Sequence, residues 1–126
     1  MTLEQATARV CRPISGDGGP ARALNPLAPH DARLLAAVNR GEFALNGFRN
    51  RDLLPLVVGP RSADPREAKR QAAKVTRQLR LLRAHQLITK VPKTHRYVLT
   101  DFGRTVINAI LAARQANTEK LAQLAA

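Results

Sequence analysis

The chain has 126 residues and a formal charge of +12, from 21 Lys and Arg against nine Asp and Glu; 44% of residues are hydrophobic and 3% aromatic. That composition allows one modest core and excludes a globally disordered chain, and no apolar run approaches the roughly 20 residues of a membrane span. The single cysteine, Cys11, excludes an internal disulfide, and the scarcity of rings (Phe43, Phe48, Phe102 and Tyr97, with no Trp) argues against a single-strand binder built on stacked bases.

Residues 1–29 hold Pro13, Gly16, Gly18, Gly19, Pro20, Pro26 and Pro29. This density of breakers predicts a flexible or extended N-terminal arm or linker. Segments 10–14 and 21–24 permit a small hairpin about Ser15-Gly16-Asp17-Gly18-Gly19. Arg9, Arg12 and Arg22 suit an arm lying along a phosphate backbone, or the segment is a tether. A first helix is expected from 30 or 31 to 40, with Leu34, Leu35 and Val38 at helical spacing, Pro29 and Asp31 at its start and Gly41 at its end. The alternation of Phe43 and Leu45 predicts a brief strand over 42–48. Asn50 is the expected N-cap of a second helix over 51–58, with Leu53, Leu54 and Val57 inward and Pro55 at the edge of its first turn. A loop over 59–65 follows, ending in Asp64 as N-cap and Pro65 at the first position of the next helix.

That third helix, 65–85, is the most sharply patterned element. Ala68, Ala72, Val75, Leu79 and Leu82 recur four, three, four and three residues apart, which places them on one face. Arg66, Lys69, Arg70, Arg77 and Arg80 occupy the opposite face, with Lys74 and Thr76 at its borders. Segments 87–92 and 95–99 are rich in β-branched and aromatic residues and flank Lys93-Thr94, the signature of a β-hairpin. Thr100 or Asp101 caps a last helix reaching toward Leu124, apolar through Val106, Ile107, Ile110 and Leu111 and again at Leu121 and Leu124.

Residues 65–96 carry ten Lys or Arg against one acid, Glu67, a net +9 of the chain's +12. Solubility needs only dispersed charge, so this clustering points to a polyanionic partner, nucleic acid first. The string Val75-Thr76-Arg77-Gln78-Leu79-Arg80-Leu81-Leu82-Arg83-Ala84-His85-Gln86-Leu87-Ile88 resembles the recognition helix of MarR- or ArsR-type transcriptional regulators. Tyr97-Val98-Leu99-Thr100-Asp101-Phe102-Gly103 is similar to their second wing strand and its exit. Gln86 stands where those families carry Gly, and the spacer at 59–64 is longer than in a minimal helix-turn-helix.

The resemblance covers about residues 30–112. It implies a mainly α chain with a small β-hairpin (α+β): a winged helix-turn-helix with a three-helix core, a wing and a long C-terminal helix, whose part over 113–126 is a dimerisation candidate. The expected contacts with double-stranded DNA are Arg66, Lys69, Arg70, Lys74, Thr76, Arg77, Gln78 and Arg80 on the helix, and Lys90, Lys93, Thr94, His95 and Arg96 on the wing. Thr76 has an alternative role, back-bonding to its own helix. Ile110, Leu111, Leu121 and Leu124 are the candidate homodimer contacts. The histidines lack metal-site spacing and the acids are dispersed, so no enzyme, metal or cofactor is expected. The expected location is the cytoplasm, on the nucleoid. The alternative reading is an accessory interaction domain of a larger protein, binding RNA or an acidic protein surface.

Overall fold

The computed structural model describes residues 2–16 and 19–125. In chain order it contains α1 (Leu3–Val10), β1 (Ile14–Gly16), β2 (Gly19–Ala21), α2 (Pro29–Val38), a 3-10 turn (Gly41–Phe43), α3 (Asn50–Val57), α4 (Pro65–Ala84), β3 (Ile88–Lys90), β4 (Tyr97–Leu99) and α5 (Asp101–Ala125). The chain is thus mainly helical, with β1–β2 and β3–β4 as two small antiparallel hairpins. None of the described helices is long and apolar enough to cross a membrane.

The helical periodicity becomes the core. Leu34, Leu35 and Val38 of α2, Leu53 and Val57 of α3, Val75, Leu79 and Leu82 of α4, and Val106, Ile107 and Ile110 of α5 form one buried cluster with Phe48 and Leu87. Each such side chain contributes about 1.5–3 kcal/mol by leaving water. Asp64 accepts from the Arg66 N–H at 3.3 Å and caps α4, with Pro65 as its first residue. Thr100 caps α5 by accepting from the Gly103 N–H at 2.8 Å.

Helix α4 ends where Gln86 turns left-handed, at φ 62°. The Leu87 N–H reaches the Leu82 carbonyl at 3.0 Å and the Gln86 N–H the Arg83 carbonyl at 2.9 Å, a Schellman closure. Glycine would take this conformation freely; glutamine pays about 1–2 kcal/mol. The position is held by Arg9, which donates to the Gln86 side chain at 2.7 Å, and by Thr100, which donates to its carbonyl at 2.8 Å.

Three local expectations are corrected. Segment 42–48 is not a strand: residues 41–43 form the 3-10 turn, Leu45 is 92% exposed, and only Phe48 pairs, bridging Tyr97. The period-two pattern there came from loop residues with no sheet to face. Gly47, at φ 72°, makes that bridge possible, since a Cβ there would lie 2.3 Å from the Tyr97 carbonyl oxygen. Asn50 is the first residue of α3 and not its cap; the Arg49 N–H donates to the Asp52 carboxylate at 2.8 Å instead. Pro55 sits inside α3, past the first turn, and removes the N–H that would have met the Arg51 carbonyl.

The largest correction concerns residues 1–29. This segment is folded onto the rest of the chain over its described residues. Thr2 and Gln5 form a reciprocal capping box that starts α1. Val10 and Leu24 are fully buried in the common core. Segments 14–16 and 19–21 pair as β1–β2; Asp17 and Gly18 of the expected turn lie outside the described residues. Apolar anchors spaced between the breakers outweigh the breakers themselves. Helix α5 runs unbroken from 101 to 125, and its last buried residue is Ile110.

Arg22 clamps this segment in place. Its guanidinium grips the buried Asp31 carboxylate at 2.8 and 2.9 Å, and the Asn25 N–H adds a third bond at 2.8 Å. Arg22 first, and the Asn25 amide with it, hold the Asp31 carboxyl below its ordinary range against the opposing effect of burial. A depressed folded pKa contributes stability that is present above the unfolded value near 4 and lost as pH falls through the folded value. Asp31→Asn is expected to cost about 1–3 kcal/mol at pH 7. Urea unfolding at pH 7 and pH 3 checks this: the gap to the wild-type protein narrows at pH 3.

Candidate nucleic-acid interface

Side chains on α4 divide by angle. Val75, Leu79 and Leu82 face the core, and Arg66, Lys69, Arg70, Arg77 and Arg80 are exposed on the other side. Arg66, Arg70, Ala73 and Arg77 form the crest, recurring four, three and four residues apart. Arg70 makes one long contact with Glu67 at 3.7 Å, exposed and therefore weak. Lys74 is exposed but lies about 200° round the helix from Thr76, on the border facing away from the β3–β4 hairpin.

The β3–β4 hairpin pairs Ile88 with Leu99 and Lys90 with Tyr97. Its turn is closed by the Val91 N–H to the Arg96 carbonyl at 2.9 Å, with Lys93 left-handed at φ 64°. Lys90, Lys93, His95 and Arg96 are all exposed. Thr94 does a different job: its hydroxyl donates to the Val91 carbonyl at 2.8 Å and accepts from the Arg96 N–H at 3.1 Å, so it shapes the turn.

One groove of about 370 Å³ joins three elements. It is lined by Arg49 and Arg51 at the start of α3, Thr76 and Leu79 in the middle of α4, and His95 and Tyr97 of the hairpin. Asn50 fixes its floor by donating to the Ala72 carbonyl and to the Thr76 hydroxyl, each at 3.0 Å. The Thr76 hydroxyl also donates to Ala72 at 3.0 Å, so Thr76 buttresses the helix pair and the back-bonding alternative holds. The groove therefore brings Arg49, Arg51 and His95 to the Thr76 side of α4.

The structure also removes residues from the expected set. The Gln78 side chain is half-buried against α2, 2.9 Å from the His30 ring. It lies on the seam of the fold, at the edge of a cleft between β2 and α4 that Arg77 and Arg80 also line. Arg80 lies beside Gly19 of β2, whose absent Cβ would come 3.1 Å from its guanidinium. Ile110 is buried in its own core and so is not available to a second copy; Leu111 is half-buried, and Leu121 and Leu124 are 67% and 74% exposed. On the N-terminal segment, Arg22 is bound to Asp31, and Arg9 lies 5.5 Å over the Phe102 ring, so neither arginine is held out on an extended arm.

Arg49 and Arg51 were missed because they lie outside the basic run. The signal was present, since two arginines flank the start of a short predicted helix. Among the described residues, no three of His, Cys, Asp and Glu converge on one point. Comparison of the chain with protein-family models, with curated proteins and with solved structures finds no match.

Proposed function

We propose that this chain is a duplex DNA-binding module of winged helix-turn-helix design, acting as a transcriptional regulator on the nucleoid. The carrying observation is the groove shared by the start of α3, the middle of α4 and the β3–β4 hairpin, lined by Arg49, Arg51 and His95, on a chain whose α4 and hairpin also carry exposed cations. The element order supports the same reading: α2, a single bridging residue at Phe48, α3, α4, then a hairpin whose second strand receives that bridge.

In this reading α4 enters the major groove along its crest. Such a helix is about 10–12 Å wide and the groove about 12 Å. Arg77 reaches base edges, as the candidate for a bidentate contact to guanine, and Arg66, Lys69 and Arg70 meet phosphates near the start of the helix. Arg49 and Arg51 meet phosphates on one side, and Lys93, His95 and Arg96 meet phosphates or the minor groove on the other. Exposed Leu121 and Leu124 support pairing with a second copy, which would match a palindromic site. The accessory-domain reading drew on a tether-like start to the chain. With α1 and β1–β2 packed on the core, no observation favours it.

Fluorescence anisotropy at several salt concentrations tests the assignment, using duplex DNA, single-stranded DNA and double-stranded RNA. Duplex DNA is expected to bind tightest. Arg77→Ala costs about 1–3 kcal/mol on a preferred duplex selected from random sequences, while Lys93→Ala weakens every duplex alike and lowers the salt slope by roughly one. Equal binding to all three nucleic acids overturns the assignment.

A further inference from the structure

We propose that the cleft over the C-terminal half of α4 binds a single nucleotide unit. It holds the phosphate on arginine and the base against its apolar wall. The cleft adjoins the groove assigned to duplex DNA, sharing Thr76, Leu79 and Tyr97 with it, and excludes Arg66, Arg70 and Arg77 of the crest. It measures about 690 Å³, within the usual range of roughly 300–1,000 Å³ for small-ligand sites. Pro20 of β2 forms one wall and Tyr97 of β4 the other, with Leu79, Arg80 and Arg83 on the floor between them.

Both halves of a nucleotide find a counterpart here. Arg83 holds its guanidinium 6.0 Å from the centre of the Tyr97 ring, so a planar cation stands beside an aromatic face. Arginine in that setting offers a forked pair of donors to phosphate and a flat surface to a base. Pro20, Leu79 and Tyr97 supply apolar area that a bare phosphate would leave wet. None of the described residues lining the cleft is acidic. The two hairpins flank a single helix, about 10–12 Å across. The volume of the cleft suits one nucleotide unit.

The nucleotide has two sources, a free nucleoside phosphate or an unpaired residue at the end of a strand. The test is calorimetric titration of the full chain with AMP, adenosine and inorganic phosphate, with amide NMR shifts recorded in parallel. AMP is expected to bind at least about tenfold tighter than either fragment and to shift the amides of Ala21, Ala84 and Tyr97. Arg83→Gln is expected to weaken AMP about tenfold or more, the usual effect of losing a charge-assisted bond, whereas Lys120→Ala, far along α5, leaves it unchanged. A duplex with one unpaired 3′ nucleotide is then compared with a blunt one. Tighter binding of the overhang, competed by AMP, assigns the strand end; equal binding of the two duplexes assigns the free nucleotide. AMP binding no tighter than phosphate, or untouched by Arg83→Gln, overturns the proposal. Affinity for the blunt duplex is read separately and bears only on the duplex-binding assignment.

Discussion

Replacing Arg66, Lys69 and Arg70 together by alanine lowers affinity for duplex DNA roughly 10²-fold or more at about 0.1 M salt, by loss of three phosphate-neutralising charges. All three are exposed on the N-terminal half of α4, away from the core. Each neutralised phosphate releases condensed counterions, so the log–log salt slope drops by about 0.9 per lost contact, close to three in all. The same triple variant keeps its melting temperature, because among the described residues these three make one ion pair, the weak Arg70–Glu67 contact. Anisotropy across a salt series, with a melting curve as control, reads both effects. Undiminished affinity would show that α4 does not meet the duplex, leaving the hairpin and α3 as the whole contact.

Gly103→Ala is expected to destabilise the fold by about 3 kcal/mol or more, through a backbone collision that no rotamer can relieve. A Cβ at this position would stand 2.0 Å from the Leu87 carbonyl oxygen and 2.8 Å from its carbonyl carbon. That oxygen is already engaged, accepting from the Thr100 N–H at 3.0 Å and its hydroxyl at 3.2 Å. Moving it therefore disturbs the cap of α5 and the left-handed end of α4 together. Helix α5 has to lift from the start of β3, and Leu87, buried next to that contact, loses its packing. Thermal unfolding should show a midpoint lower by roughly 10–15 °C for a chain of this size. Gly41→Ala is the matched control, because a Cβ there meets nothing within 4 Å. A midpoint within 2 °C of the wild-type protein would show that the first turn of α5 yields without cost.

Sequence pattern revealed the fold where periodicity was long and its ends were marked. Helix α4 carries twenty residues of strict spacing between Asp64-Pro65 and a hydrophobic pair, and its bounds differ by one residue from expectation. The β3–β4 hairpin and the Thr100 cap were legible for the same reason. Helix α1 was hidden by its neighbours: Thr2-Leu3-Glu4-Gln5 spells a capping box, but the glycines and prolines that follow dominate any composition window. The buried roles of Val10 and Leu24 depend on partners far along the chain, as does the tie from the Arg22 carbonyl to His85, and no local pattern encodes them. The interface was legible as charge and illegible as geometry. Arg49 and Arg51 join it only because Asn50 laces α3 to α4. Gln78 leaves it because α2 happens to lie beside it.

The tie between the Arg22 carbonyl and the buried His85 ring, 2.7 Å long, spans 63 residues, and the one from Arg9 to Gln86 spans 77. During translation at about 5–20 residues per second, the first thirty residues therefore wait several seconds after leaving the ribosome before their partners exist. Over that interval Val10 and Leu24 stay wet, and α1 and the first hairpin have nothing to dock on. Segment 2–24, made before those partners, is among the last parts to settle.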